Sequence, residues 1–411
     1  MALPTPKRSS GFAQAGWLVG ARLSGYGAAY FFASGAFMSY WPVWLRERGV
    51  QDAEIGTLYM SRQLVSVVST LAIGVIAHRL GNVRGVILAL AAAATVLMTG
   101  YQFAYSFAAI LAVSLVWGSV WAPTMALYDG VLVNETRARG FNYGSLRVWS
   151  SVAFILGAVL CGFAVDRNGP DWVLYVGLSG VVLLVPLGLL LPGGDAHHKD
   201  GGRHAPFGML DLLKSPPFLL FMVAAGLCQA SHAVLYSFGT LTWRAAGLSD
   251  VTISLLWAES VAVEILLMLA SGRLIRRLGV CGMIAFALSC AMVRWLGMAF
   301  TTALPALVVL QALHAGSFAA CHLGAMAFIQ RALPPPGMAL GQSVYYAIGT
   351  GAAQALVFQL AGMLYAEFGQ RAFLGMLVVA GVGMMAVVVL ARIWKGELLV
   401  PLLSPARGRA D

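Results

Sequence analysis

The chain has 411 residues, of which 60% are hydrophobic and only 10% charged, and its formal net charge is +10. With a mean hydropathy of +0.81 it has too little polar surface for a water-soluble globule, so a bilayer has to solvate it. The basic excess has a better explanation in the placement of the basic residues than in nucleic-acid binding.

Apolar runs long enough to span a hydrocarbon core at 1.5 Å per residue recur along the whole chain. They predict helices over 20–43, 56–77, 84–103, 106–128, 147–165, 173–192, 217–242, 252–270, 280–300, 303–330, 341–366 and 372–392. Short alternating segments of the kind that build a membrane β-barrel are absent. The expected fold is an all-α membrane protein of twelve transmembrane helices in two six-helix pseudo-repeats. The expected domains are 1–192, a cytoplasmic linker at 193–216, and 217–411 with a short cytoplasmic tail.

The first helix follows Lys7 and Arg8 but is long, aromatic-rich and without a cleavage site, so it reads as a span and not as a leader. Tyr26, Tyr30 and Phe37 recur on it at four- and seven-residue spacing. Such stripes more often pack against neighbouring helices, and their polar tips also suit a cavity wall. Tyr26 and Tyr30 are therefore candidate substrate contacts. The loop after the second helix reads GVIAHRLGNVR from Gly74 to Arg84.

Asp129 and Arg147 are 18 residues apart around a loop centred on Arg137 and Arg139. Antiparallel fourth and fifth helices would bring them to similar depth as an ion pair. A static pair ordering the hairpin is one reading. The other is that the planar guanidinium fork receives a substrate carboxylate.

Gly193, Gly194, Asp195, His197, His198, Lys199, Asp200, Gly201 and Gly202 interrupt the apolar pattern near the middle. His197, His198 and His204 stand among glycines that give them no fixed geometry, so the stretch reads as a solvated linker and no metal site is expected. The five cysteines, Cys161, Cys228, Cys281, Cys290 and Cys321, lack paired metal-type spacing and imply neither zinc nor a disulfide.

In the second half, Gln229, His232 and Tyr236 follow one another at three and four residues on the seventh helix, a set suited to substrate contact. An ionisable group near a helix centre costs roughly 2.5–3.5 kcal/mol on insertion scales and commonly marks a solute or proton route. Glu264, Arg294 and His314, on the eighth, ninth and tenth helices, form such a set and are the candidates for proton coupling. Glu259 lies five residues from Glu264, about 140° around the helix, and cannot share its narrow face. Trp257 and Ser260 do share it. His322 has a packing role at least as readily as a ligand role, and Tyr345 and Tyr346 add aromatic candidates on the eleventh helix.

With the N-terminus in the cytoplasm, 17 Lys/Arg fall on cytoplasmic segments and five on outer ones, and an even helix number returns the C-terminus to the same side. The halves also match at a constant offset of 198 residues, pairing Gly49 with Gly247, Asp52 with Asp250, Ile55 with Ile253, Gly81 with Gly279 and Arg79 with Arg277. Parallel six-helix repeats place a solute site near the midplane between the halves and expose it to each side in turn.

The Gly74–Arg84 loop resembles the signature loop of the major facilitator superfamily, with His78 where that family usually has Asp, which puts the loop's acid-based contact in question. YGSLRVWSSVAF from Tyr143, VLYSFGTLTWRAAGLS from Val234 and LQALHAGSFAACHLG from Leu310 resemble the phenylpropionate permease branch of that superfamily, which is related to lactose permease. The resemblance implies a proton symporter for uptake. It matches Asp129 and Arg147 to an acid and an arginine of the permease substrate site, and Glu264, Arg294 and His314 to a sugar-binding and proton-coupling network. It departs at Ser317, where the permease has its proton-carrying glutamate.

The expected function is secondary active transport by alternating access, importing a small organic solute such as an aromatic carboxylate together with protons. The alternatives are a sugar or nucleoside symporter and a solute exporter. Neither an enzyme nor a cofactor is expected, because no nucleophile and base, metal cluster or nucleotide loop accompanies the ionisable residues. The expected partners are the solute, protons and lipid, without nucleic acid, and a monomer in a bacterial-type cytoplasmic membrane suffices.

Overall fold

The computed structural model describes residues 10–193 and 207–399. The described elements are helical, with no β-strand among them. The first half holds α1 (Ser10–Glu47), α2 (Asp52–Leu80), α3 (Val83–Gly100), α4 (Phe107–Arg139), α5 (Tyr143–Asn168) and α6 (Trp172–Leu189). The second holds α7 (Met209–Leu213), α8 (Pro216–Ala230), α9 (Ala233–Ala245), α10 (Asp250–Phe300), α11 (Leu304–Ala312), α12 (Ala320–Ala332), α13 (Pro335–Val344), α14 (Ala353–Phe368) and α15 (Phe373–Ile393).

Ten stretches of the described residues are long and apolar enough to cross a membrane. The 38-residue α1 has the length of a span, and the longest stretch, Pro335–Ile393, divides at Gly369, whose φ is 54°. Among the described residues the count is roughly consistent with the expected twelve. Large apolar side chains such as Val96, Leu269 and Val378 point outward, as lipid contact requires.

The sequence repeat has a structural counterpart. Gly49 and Gly247 both adopt left-handed backbone, with φ of 78° and 88°, and Gly81 and Gly279 do so at 64° and 69°. Arg46 pairs with Asp52, and at the same offset Arg244 pairs with Asp250 at 2.9 Å. Gly279 turns α10 sharply, so that its two arms are separate spans.

Two compact units are present. The first comprises the described residues up to Trp41 together with those from Val68 to the end of α6, and the second comprises Pro42–Val67 with the rest of the chain. The α1–α2 turn region packs within the second unit, where Tyr59 lies 5.0 Å from the ring of Phe358. Within the first unit α5 crosses α1 so closely that a Cβ at Gly157 would fall 2.0 Å from Phe32 O. Within the second, a Cβ at Gly226 would fall 1.8 Å from Gly349 O. Only glycine permits either approach.

Three local features differ from the expected pattern. α4 does not stop at 128 but continues to Arg139, because the residue that can end it by taking a left-handed conformation is Gly140 (φ 69°). Asn142 then caps α5 by accepting from Ser145 N. The single helix expected over 217–242 breaks at Ser231 and His232, where the Ser231 hydroxyl donates to Cys228 O and His232 Nδ1 turns back to the same carbonyl. Side chains that bond the preceding turn compete with the helix ladder. The tenth and eleventh spans contain π-helical segments, Ala315–Ala319 and Tyr345–Ala352. Of the expected linker, His197, His198 and His204 lie outside the described residues.

Candidate functional site

The first unit holds Asp129, Arg147, Tyr26 and Tyr30. Tyr26 is fully buried in an apolar cluster with Leu23, Tyr128 and Leu132, its ring 5.0 Å from that of Tyr128. Tyr30 stacks on Trp121 at 4.0 Å and its hydroxyl donates to Trp121 O at 3.3 Å. The stack continues from Trp121 to Trp117 at 4.8 Å and ends edge-on at Phe37, 5.6 Å away. The stripe read from Tyr26, Tyr30 and Phe37 is thus the seam between α1 and α4.

The expected direct ion pair between Asp129 and Arg147 is not formed. With the turn at Gly140 to Asn142, Asp129 sits about ten residues inside α4 and Arg147 only about four inside α5. At 1.5 Å per residue their depths differ by roughly 9 Å. Arg147 acts on Asp129 through space, while Asp129 Oδ1 is buried without a hydrogen-bond partner. The Arg147 guanidinium instead lies 4.0 Å over the ring of Phe31, against the Tyr143 phenol. Phe31 was not legible as a site residue, because it falls about 100° from the Tyr30 stripe and its contact crosses from one helix to another.

In the second unit, Arg294 is completely buried and tied to one short stretch of chain. Nε donates to Leu310 O at 2.8 Å, Nη2 to Gln311 Oε1 at 2.9 Å, and Nη1 to Ser317 Oγ at 2.8 Å and His314 Nδ1 at 3.2 Å. Its face covers Trp295 at 4.7 Å. A buried guanidinium is tolerated when its donors are matched in this way. Diverting Leu310 O to the arginine coincides with the end of α11 and the widening to π-helix, a distortion that often marks functional segments.

His232 joins the same network through Ser317 Oγ, 3.1 Å from Nε2. Its ring stacks on Tyr236 at 5.6 Å and meets Trp295 and His314 edge-on at 5.0 and 5.4 Å. Gln229 donates to Phe318 O at 3.4 Å, and its buried Oε1 has no hydrogen-bond partner. Arg294 and His314 are therefore brought together, with Gln311 and Ser317 as members that sequence spacing did not single out as ligands. Glu264 is not among the hydrogen-bond partners of the Arg294 guanidinium. The carboxylate instead acts on Tyr236. Trp257 and Ser260 are buried on the face they share with Glu264.

Residues 22–375 match the family model described as the MFS_1 like family. The chain belongs to that family. The "Probable 3-phenylpropionic acid transporter" of Escherichia coli (strain K12) is 31% identical over 362 residues, covering 85% of this chain and 92% of that protein. The maltose permease of Geobacillus stearothermophilus is 23% identical, covering 78% and 81%. The crystal structure of the nucleoside transporter NupG superposes with a TM-score of 0.79 at 16% identity, covering 92% of this chain and 99% of that one, which shows the shared fold. The chain is thus a multi-pass membrane transporter of the major facilitator superfamily, as the signature-loop resemblance implied.

Proposed function

We propose that this MFS_1 like protein imports a small aromatic carboxylate, of the phenylpropionate type, together with protons across a bacterial cytoplasmic membrane, by alternating access and with both termini cytoplasmic. The observation that carries the reading is Arg147 itself. It is a half-buried guanidinium lying on the Phe31 ring without a carboxylate in direct ion pairing. A planar cation already stacked on an aromatic face offers its fork to an anion, and the adjacent ring suits an aryl group. The likeness to a probable 3-phenylpropionic acid transporter supports the same chemistry.

Gln229 and Tyr236 are the substrate contacts proposed in the second unit, and the coupling is proposed for the set of Glu264, Arg294 and His314. A second reading, a sugar symporter, is favoured by the buried, unpartnered Asp129 Oδ1, which suits a hydroxyl donor, and by the likeness to a maltose permease. Proteoliposomes under an inward proton gradient distinguish them. Accumulation of radiolabelled 3-phenylpropionate, collapsed by a protonophore, is expected. Accumulation of maltose without the acid would establish the second reading, and outward movement of the acid would reverse the direction.

A further inference from the structure

His232 is wholly buried, and its hydrogen-bond partners fix its tautomer. Nδ1 faces two carbonyl oxygens, Cys228 O at 3.1 Å and Gln229 O at 3.2 Å. Both can only accept, so Nδ1 carries a hydrogen and Nε2 is the basic nitrogen. Nε2 faces Ser317 Oγ at 3.1 Å. That oxygen already accepts from Arg294 Nη1, and its own hydrogen has two acceptors within reach, His232 Nε2 and His314 O at 3.2 Å. It can serve one at a time.

The two settings of the hydroxyl correspond to the two protonation states of the imidazole. With His232 neutral, Ser317 donates to Nε2. With a proton on Nε2, the imidazolium donates to Ser317 Oγ and the hydroxyl turns to His314 O. Every donor is satisfied in both states and no heavy atom moves, which is rare for a buried titratable group.

We propose that Nε2 of His232 is the proton-binding atom of coupled transport, with Ser317 as the rotor that accommodates both states. The proposal rests on the proton-coupled reading above and locates its proton. The groups facing His232 are Cys228 on α8, Tyr236 on α9, Arg294 on α10, and His314 between α11 and α12. Cys290 lies near Arg294, Cys321 near Cys228, and Glu264 acts on Tyr236. A proton on Nε2 adds a second positive charge next to Arg294, whose partners include no carboxylate.

The test uses the full-length chain in proteoliposomes with radiolabelled 3-phenylpropionate, reading gradient-driven accumulation against counterflow exchange. His232→Asn keeps an amide hydrogen for the two carbonyls and removes Nε2, and should lower the accumulation-to-exchange ratio at least tenfold. Ser317→Ala removes the rotor and should move the pH profile of accumulation to lower pH, because the protonated ring loses its acceptor. Ser317→Thr should restore the profile. An unchanged ratio in His232→Asn, or an unchanged profile in Ser317→Ala should the first variant fail to fold, overturns the proposal. So does a Glu264→Gln variant that loses the ratio while His232→Asn keeps it, and in that case proton coupling itself stands. Exchange without gradient-driven accumulation by the unaltered protein refutes the proton-coupled reading instead.

Discussion

Arg294 donates to Ser317 Oγ at 2.8 Å, so the serine that replaces an expected acid is a direct partner of the buried guanidinium. Four acceptors, on Leu310, Gln311, His314 and Ser317, depend on this one side chain. A lysine ammonium has three donors and no planar fork. Arg294→Lys should therefore leave at least one buried acceptor unmatched and destabilise the protein by about 2 kcal/mol. Thermal unfolding in detergent, followed by tryptophan fluorescence, should show a Tm lower by roughly 2 °C.

Arg147→Lys retains the charge but gives up the stacked, bidentate fork. Because Arg147 is only half-buried, expression and thermal stability should stay close to those of the unaltered protein. The affinity for 3-phenylpropionate should fall by about tenfold, equivalent to about 1.4 kcal/mol. Phe31→Leu should weaken binding in the same direction by removing the ring under the guanidinium. Equilibrium binding measured by scintillation proximity or calorimetry reads both, and unchanged affinity in Arg147→Lys removes this residue from the site.

Gly226→Ala tests the packing of the second unit. A Cβ there would lie 1.8 Å from Gly349 O, a backbone atom that cannot swing aside. The variant should cost about 1–3 kcal/mol or more, seen as a lower Tm and early elution loss on heated size-exclusion chromatography. Gly130→Ala, with nothing within 4 Å of its added Cβ, is the control and should be neutral or slightly stabilising within a helix.

The two repeat-related ion pairs should differ in strength. Asp250 in the Arg244 pair is 6% exposed, whereas Asp52 in the Arg46 pair is 22% exposed. Water screens the buried Asp250 carboxylate less, so its pair with Arg244 is the stronger of the two, and the more exposed pair is worth about 0–1 kcal/mol. Asp250→Asn should lower the Tm more than Asp52→Asn, and high salt should narrow the effect of Asp52→Asn first.

Much of the fold was legible because membrane spans are set by local composition. A run of about twenty apolar residues must become a helix in lipid, where each backbone polar group has to find its partner within the segment. The 198-residue offset likewise reached the structure intact. Gly49, Gly81, Gly247 and Gly279 all take positive φ, a conformation open to glycine at little cost, and both copies of the Arg-to-Asp pair form.

The membership of the site was only partly legible. Arg294 and His314 announced themselves as ionisable residues in apolar runs, which is a property of one segment. Their grouping with Gln311 and Ser317 arises because the chain beyond α11 opens into a π-helical segment and presents several acceptors to one guanidinium. The absent direct Asp129–Arg147 pair shows the same limit from the other side. Residue spacing sets depth along a helix only once the turn is placed, and Gly140, not the Arg137–Arg139 midpoint, places it. Composition and periodicity thus settled that this chain spans a membrane in two related halves. Packing between helices settled which buried charges meet, because a hydrogen bond needs an approach near 3 Å and no pattern along one chain segment specifies that distance.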